Sequence, residues 1–311
     1  MTDIPRRPFG KTGLEVSCLG FGGAPIGLLE TDEGVSSQLL NGLLDRGVNV
    51  FDTATMYYGS QAMIGQCISH RRDEFVIVTK CGLAGEADNP DRWTPEKITQ
   101  DIDNSLKELR TDVVDVMLLH TPSESILKQG DALGAVVKAR EAGKVRHAGF
   151  SGDNELATWA AAQPDIEVIQ TSINMCDQVN IEGLLPAARE HGVGIMVKRP
   201  IANAAWKSQD EQYERYRNYY SSYHDRFAKM GLSIDDVSAA AGETLTWPEA
   251  ALRFTLSHDG VSTAIIGTTK PGHIDQNAAA AAKGPLPERA VALIRNAFSR
   301  ARGGDDWPGL T

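Results

Sequence analysis

The chain has 311 residues, of which 41% are hydrophobic, and carries a formal net charge of -10. Nucleic acids and anionic membranes repel such a charge, so both are poor candidate partners. The N-terminus lacks the apolar core of a signal peptide, no run of about 18 apolar residues occurs, and the cysteines lack zinc-ligand spacing. We therefore expect a cytoplasmic protein that binds no metal.

The predicted elements begin with a hairpin whose turn is Gly10–Gly13. Eight short apolar runs follow, and continuous hydrophobicity of this kind is typical of buried parallel strands. We expect the hairpin to close the bottom of the structure that these strands form. The runs are Ser17–Phe21, Val48–Phe51, Phe75–Thr79, Val114–Leu119, His147–Phe150, Val168–Thr171, Gly194–Val197 and Thr263–Ile266.

Amphipathic stretches between the runs predict helices. The clearest covers Pro95–Leu109, where Thr94 can cap the helix and proline suits its first position. Three others are predicted at Ala132–Glu141, Pro248–Leu256 and Pro271–Ala282. Eight alternating strand and helix units predict an α/β fold, a (β/α)8 TIM barrel, as one domain over residues 1–311.

A doubly wound open sheet is the alternative architecture. It needs a glycine fingerprint after the first strand, but Gly20–Pro25 lacks the third glycine and has a proline where the helix would begin. We interpret this segment as a loop at the barrel mouth, where glycines let a ligand approach the backbone. The insertion after strand seven, Ala202–Thr246, is either a substrate wall or a helical excursion that contacts no ligand.

Polar side chains stand at or just after the ends of three consecutive predicted strands. Asp52 and Tyr57 follow the second strand, Lys80 the third and His120 the fourth. Consecutive strand ends of a parallel barrel meet at one rim, so these four groups are expected to share a pocket. Each alone has a structural explanation, but their coincidence at adjacent strands indicates a catalytic site.

At these positions the chain resembles the aldo-keto reductases. The matching segments are Phe51-Asp52-Thr53-Ala54 with Tyr57 and Gly65, Val78-Thr79-Lys80, Leu118-Leu119-His120, Gly149-Phe150-Ser151, Gln170 with Asn174, and Ile266-Gly267-Thr268 running to Asn277. The resemblance spans nearly the whole chain. It implies NADPH-dependent, reversible reduction of an aldehyde or ketone, with Asp52, Tyr57, Lys80 and His120 as the catalytic tetrad.

The tetrad has a chemical rationale. A free tyrosine has a pKa near 10, and a neighbouring ammonium favours its phenolate. We therefore predict Tyr57 as the general acid, Lys80 as its activator and Asp52 as the partner of that lysine. His120 would orient the carbonyl oxygen. Tyr58 is the alternative acid, but the spacing from the aspartate favours Tyr57 and leaves Tyr58 as a pocket aromatic.

The resemblance also implies the cofactor contacts. Ser151 and Gln170 would bind the nicotinamide carboxamide, and Gly22 and Gly23 would lie beneath the ring. The phosphate and adenosine end would be held by Gly267, Thr268, Thr269, Lys270, His273 and Asn277. The helix predicted at Pro271 supports this, because a helix N-terminus favours phosphate. Lys270 would pair with a 2′-phosphate, which favours NADPH over NADH; otherwise it is a solvated loop charge.

Three positions depart from the family pattern. Gly152 stands where many members have an asparagine for the carboxamide, and Asp153 or Asn154 would have to compensate. Lys198 replaces an aromatic residue that stacks on the nicotinamide, so we expect it to contact the pyrophosphate or to stack through its aliphatic stem. His273 replaces an arginine of some NADPH-specific members.

Two other functions remain open. An NADPH-binding regulatory subunit of a membrane channel would need the cofactor site but little turnover. A metal-dependent barrel hydrolase would need clustered carboxylate and histidine ligands, which the sequence does not place together. The partner we expect is a small carbonyl or alcohol, and the sequence leaves the physiological substrate and the oligomeric state open.

Overall fold

The computed structural model describes residues 4–29, 31–211 and 217–310. Within them, eight parallel strands close into a barrel, with each strand paired to its neighbour in the chain and the last paired to the first. These strands are β3 (Leu19–Gly22), β4 (Val50–Asp52), β5 (Val76–Cys81), β6 (Val114–His120), β7 (Val145–Ser151), β8 (Val168–Ser172), β9 (Gly194–Lys198) and β10 (Val261–Ile266). The predicted (β/α)8 barrel is confirmed, and the open sheet is excluded.

The N-terminal hairpin pairs β1 (Arg6–Pro8) with β2 (Glu15–Ser17) in antiparallel register. Phe9 is fully buried among side chains of the barrel interior, so the hairpin does close the bottom. Ser17, predicted to open the first barrel strand, instead ends β2, where its backbone N–H donates to Asn49 Oδ1 at 2.6 Å. The barrel strand therefore begins two residues later, at Leu19.

Helices connect the strands on the outside of the barrel. They are α1 (Ala24–Leu28), α2 (Glu33–Leu44), α3 (Ser60–Ile68), α4 (Pro95–Leu109), α5 (Glu124–Gln129), α6 (Asp131–Glu141), α7 (Asn154–Ala161), α8 (Val179–Glu182), α9 (Leu184–His191), α10 (Arg217–Met230), α11 (Ile234–Ala241), α12 (Trp247–Leu256), α13 (Gly272–Ala282) and α14 (Glu288–Arg302). The bounds predicted for α4 are confirmed, and the Thr94 hydroxyl accepts the backbone N–H of Lys97 at 3.3 Å. The other three predicted helices begin one residue from their predicted positions.

The prediction that the glycine-rich segment Gly20–Pro25 forms a loop is only partly confirmed. Strand β3 continues to Gly22, and α1 begins at Ala24 with Pro25 in its first turn. A proline fits there because the first N–H groups of a helix have no intrahelical partner. Pro25 therefore starts a helix at the barrel mouth rather than excluding one.

Side-chain alternation along the strands determines which residues reach the barrel mouth. The barrel interior is filled by Val50, Val78, Leu118, Val168 and Met196, among others. Alternate residues of a strand face the same side, so the side chains two positions later also point inward, one layer higher. These are Asp52, Lys80, His120, Gln170 and Lys198. The apolar interior and the polar mouth are therefore formed by the inward-facing side chains of the same strands.

The insertion packs on the outside of the barrel. Tyr223, Met230 and Val237 are buried in a second apolar cluster that includes Phe254 of α12 and Phe298 of α14. Residues 212–216 of the insertion lie outside the described part of the chain. Among the described residues, no helix is long and apolar enough to cross a membrane.

Candidate active site

Lys80 and Asp52 form a buried ion pair at the mouth. Lys80 Nζ lies 2.6 Å from Asp52 Oδ1 and donates to the carbonyl oxygen of Thr53 at 2.8 Å. Burial lowers the pKa of Lys80 and raises that of Asp52, and the attraction between the two charges opposes both shifts. The ammonium is therefore held in one position by two oxygen atoms.

Tyr57, rather than Tyr58, meets the other members of the predicted tetrad. Its ring lies 4.9 Å from Lys80 Nζ and makes an edge contact with the His120 ring, with 5.7 Å between ring centroids. The Tyr58 side chain is 77% exposed. The structure thus brings all four predicted residues together. It favours Tyr57, the choice based on spacing from the aspartate, over Tyr58.

His120 is the last residue of β6 and is buried. Burial, followed by the nearby charges of Lys80 and Lys198, holds the pKa of His120 well below its usual value, so the imidazole is neutral. Among the described residues, its Nδ1 has no hydrogen-bond partner. A buried polar atom without a partner is typical of a site where a ligand completes the hydrogen bonding.

Ser151 and Gln170 extend the mouth along β7 and β8. The Ser151 hydroxyl donates to Gln170 Oε1 at 3.2 Å, and Gln170 Nε2 donates to Asp52 Oδ1 at 2.8 Å. Gln170 therefore joins the predicted carboxamide site to the predicted catalytic carboxylate. The sequence does not indicate this hydrogen bond directly, although side-chain alternation along β8 places Gln170 in the same inward layer as Asp52.

A second ion pair stands beside the first. Lys198 Nζ lies 3.1 Å from Asp153 Oδ2. The other carboxylate oxygen, Oδ1, accepts the Thr171 hydroxyl at 2.8 Å, the Ser172 backbone N–H at 2.7 Å and Asn180 Nδ2 at 3.1 Å. Burial opposes ionisation, but the charge of Lys198 and these hydrogen bonds lower the pKa of Asp153. Asp153 is thus engaged as the counterion of Lys198.

Gly152 has a structural reason for departing from the family pattern. A Cβ atom at this position would lie 2.2 Å from Cζ of the buried Phe150 ring. The aromatic ring of the preceding strand therefore occupies the space that an asparagine side chain needs. Asn154 is also engaged elsewhere, because its amide exchanges hydrogen bonds with the backbone of Gly309.

Replacing Gly152 with the asparagine that many family members carry is expected to destabilise the protein. The Phe150 ring has to move, and overpacking of this kind costs about 1–3 kcal/mol of unfolding free energy. Urea unfolding measures the change. The matched control is Gly134→Asn on α6, where a Cβ meets no atom within 4 Å. Equal stability of the two variants would contradict the steric account.

A cavity of about 480 Å³ opens at the carboxyl ends of β6 and β7. Thr121 and Gly152, which follow His120 and Ser151, line it, and Asp306 and Pro308 of the C-terminal tail form another wall. Among the described residues, the lining therefore comes from the end of β7, the loops after β6 and β7, the start of α7, α8 and the tail, and not from 202–246.

The residues predicted to bind the phosphates and adenosine of the cofactor follow β10, the strand next to β3. A Cβ at Gly267 would lie 2.9 Å from the carbonyl oxygen of Gly22, and a Cβ at Gly23 would lie 2.8 Å from that of Asp52. Only glycine allows this close approach of the backbones. Thr269, in the loop before α13, and Asn277, on α13 itself, are both half-buried.

Basic groups gather at the start of α13. The Thr268 hydroxyl lies 3.0 Å from His273 Nδ1 and accepts the backbone N–H of Lys270 at 3.0 Å. Burial, then the charges of Lys270 and Lys207, lower the pKa of His273, which places both lysines close to it. Lys207 belongs to the insertion and was not predicted. Lys207 lies more than 60 residues from His273 in the sequence, so the sequence alone does not indicate that the two are near each other.

The sequence profile of the aldo/keto reductase family matches residues 18–298. The chain belongs to this family. Aldo-keto reductases act on carbonyl groups as NAD(P)H-dependent oxidoreductases, so the enzyme class expected from the resemblance is confirmed.

Named relatives agree with this assignment, and a solved structure agrees with the fold. L-galactose dehydrogenase of Arabidopsis thaliana is 25% identical over 299 residues, which cover 90% of this chain and 89% of that relative. A probable voltage-gated potassium channel subunit beta of the same plant is 28% identical over 293 residues, covering 86% and 88%. The holo form of an aldo-keto reductase from Bacillus halodurans superposes with a TM-score of 0.77 at 24% identity, covering 94% and 96%.

The residues at the mouth fit the nicotinamide cofactor of an aldo-keto reductase. Ser151 and Gln170 provide hydroxyl and amide groups at the mouth, and Lys270 and His273 lie at the start of α13. Among the described residues, no group of three or more His, Cys, Asp or Glu side chains is arranged to hold a metal ion.

Proposed function

We propose that this chain interconverts an aldehyde or ketone and its alcohol with NADPH, and that Tyr57 donates the proton in the reductive direction. The observation that carries the proposal is the contact of the Tyr57 ring with both Lys80 Nζ, at 4.9 Å, and the His120 ring. A phenol whose ring contacts both an ammonium and a neutral imidazole is suited to proton transfer onto a carbonyl oxygen.

The cofactor, when bound, supplies the hydride. Tyr57 gives its hydroxyl proton to the carbonyl oxygen and is left as a phenolate, which the ammonium of Lys80 stabilises. Asp52 holds the ammonium, and Gln170 holds Asp52 in turn. The neutral imidazole of His120 donates a hydrogen bond that orients the substrate oxygen. The 480 Å³ cavity at the carboxyl ends of β6 and β7 offers space for the rest of the substrate.

Residues around the mouth would bind the cofactor. Ser151 and Gln170 would hold the carboxamide, and Gly22 and Gly23 would lie beneath the nicotinamide. The phosphates and adenosine would be bound by Gly267, Thr268, Thr269, Lys270, His273 and Asn277, with Lys207 as an additional cation. Lys270 beside the N-terminus of α13 supports a phosphorylated ribose, and hence NADPH over NADH.

Lys270→Ala is expected to weaken NADPH binding about tenfold and to leave NADH binding nearly unchanged, because a phosphate–lysine pair contributes about that factor. Fluorescence titration of both cofactors measures the two dissociation constants. The matched control is Lys138→Ala, an exposed lysine on α6. Equal losses for NADPH and NADH would remove the role that we assign to Lys270.

A channel-associated regulatory subunit is the second candidate, and the similarity to a probable potassium channel subunit beta favours it. Steady-state oxidation of NADPH with a panel of aldehydes and ketones, and reduction of NADP⁺ with a panel of alcohols and aldoses, separate the two functions. The second panel includes L-galactose because a relative bears its name. An enzyme turns over many equivalents of cofactor, whereas a binding subunit converts at most the cofactor that it holds.

A further inference from the structure

Lys198 is a second lysine at the barrel mouth, and the tetrad does not use it. It is the last residue of β9, and its parity with the interior residue Met196 directs it inward. Its side chain is 14% exposed and lies 3.1 Å from Asp153 Oδ2. An ammonium carries three N–H groups, so this single ion pair does not exhaust its donors.

The position of β9 in the barrel places Lys198 under the proposed nicotinamide. Going around the barrel, β9 and β10 lie between β8, which carries Gln170, and β3, which carries Gly22. A ring whose carboxamide reaches Ser151 and Gln170 and whose face lies on Gly22 has to span this part of the mouth.

The charge of Lys198 affects the pKa values of His120 and Asp52, although Asp153 is its counterion. After burial and the charge of Lys80, the charge of Lys198 contributes to the low pKa of His120. It also favours the ionised form of Asp52. The charge of Lys198 therefore acts on groups of the predicted tetrad.

We propose that Lys198 disfavours the oxidised, positively charged nicotinamide relative to the reduced, neutral one, and so biases the site toward alcohol oxidation. This inference rests on the proposed function, since it requires the nicotinamide at the mouth. In that direction the alcohol carbon gives a hydride, with its electron pair, to the oxidised ring, and the hydroxyl proton passes to the Tyr57 phenolate. The products are a carbonyl, a neutral reduced ring and a neutral tyrosine, so the ring loses the charge that Lys198 repels.

The test compares the dissociation constants of NADP⁺ and NADPH, without any substrate. We expect Lys198→Met to lower the ratio of the NADP⁺ constant to the NADPH constant by roughly 3- to 30-fold, as for one unit charge about 8–10 Å away at an effective dielectric constant of about 20–50. Lys198→Arg keeps the charge and should keep the ratio. Lys138→Met on the outer face of α6 is the matched control and should also leave the ratio unchanged.

A double variant protects the test against misfolding, because Lys198→Met alone leaves a buried carboxylate. Asp153→Asn combined with Lys198→Met removes both charges, and its ratio should fall between those of the wild type and the single variant. If the ratio were unchanged in Lys198→Met and in the double variant, with both cofactors still bound, Lys198 would be only a structural counterion. That result would overturn this inference alone. Failure of the wild type to bind either cofactor would overturn the proposed function as well.

Discussion

Replacing Tyr57 with phenylalanine is expected to lower kcat for carbonyl reduction by about 10²–10⁴-fold, the usual contribution of general acid catalysis. The change removes the hydroxyl and keeps the ring, so the contacts with Lys80 and His120 persist. Cofactor binding should change by less than about twofold, because Tyr57 is not among the proposed cofactor contacts. Steady-state kinetics and NADPH titration measure the two effects separately.

Tyr58→Phe is the matched control for this prediction. Tyr58 is adjacent in sequence, carries the same hydroxyl and is 77% exposed, away from Lys80. Its loss should leave kcat nearly unchanged. If Tyr58→Phe were the inactive variant and Tyr57→Phe the active one, the assignment of the proton donor would be wrong.

Lys80→Met should have the largest effect on stability. It leaves the Asp52 carboxylate buried without its partner, and breaking a buried pair in this way costs about 3–5 kcal/mol of unfolding free energy. Catalysis should also fall steeply, because the ammonium that stabilises the Tyr57 phenolate is gone. Urea unfolding monitored by circular dichroism gives the stability, and NADPH oxidation gives the activity.

The double variant Asp52→Asn with Lys80→Met distinguishes the two effects. Replacing both charges with neutral groups of similar size is often nearly neutral for stability, so most of the lost unfolding free energy should return. Activity should not return, because no cation then faces Tyr57. Recovery of turnover in the double variant would show that Lys80 acts only as a structural partner of Asp52.

The sequence predicts the barrel, and it predicts that Asp52, Lys80 and His120 meet at its mouth, for a shared physical reason. Parallel strands buried on both faces are continuous apolar runs, so their number and order can be read directly. Asp52, Lys80 and His120 follow three of these runs directly, at the ends that face the mouth. Strand ends that converge in space therefore appear in sequence as the same local pattern repeated.

Contacts between distant segments could not be predicted in this way. The ion pair of Lys198 with Asp153 and the approach of Lys207 to His273 depend on how separate loops fold over the mouth. The clash that excludes a side chain at Gly152 depends on how the backbone turns over Phe150. Such features follow from side-chain placement, which periodicity and capping do not specify.

The most direct test of the central claim is deuteride transfer. The protein is incubated with NADPH deuterated at both C4 positions and with a carbonyl that supports NADPH oxidation, and mass spectrometry locates the label. The account predicts one deuterium on the alcohol carbon, and a transfer rate about 10²–10⁴-fold lower in Tyr57→Phe. Oxidation of NADPH without deuterium in the alcohol, or an undiminished rate in Tyr57→Phe, would contradict it.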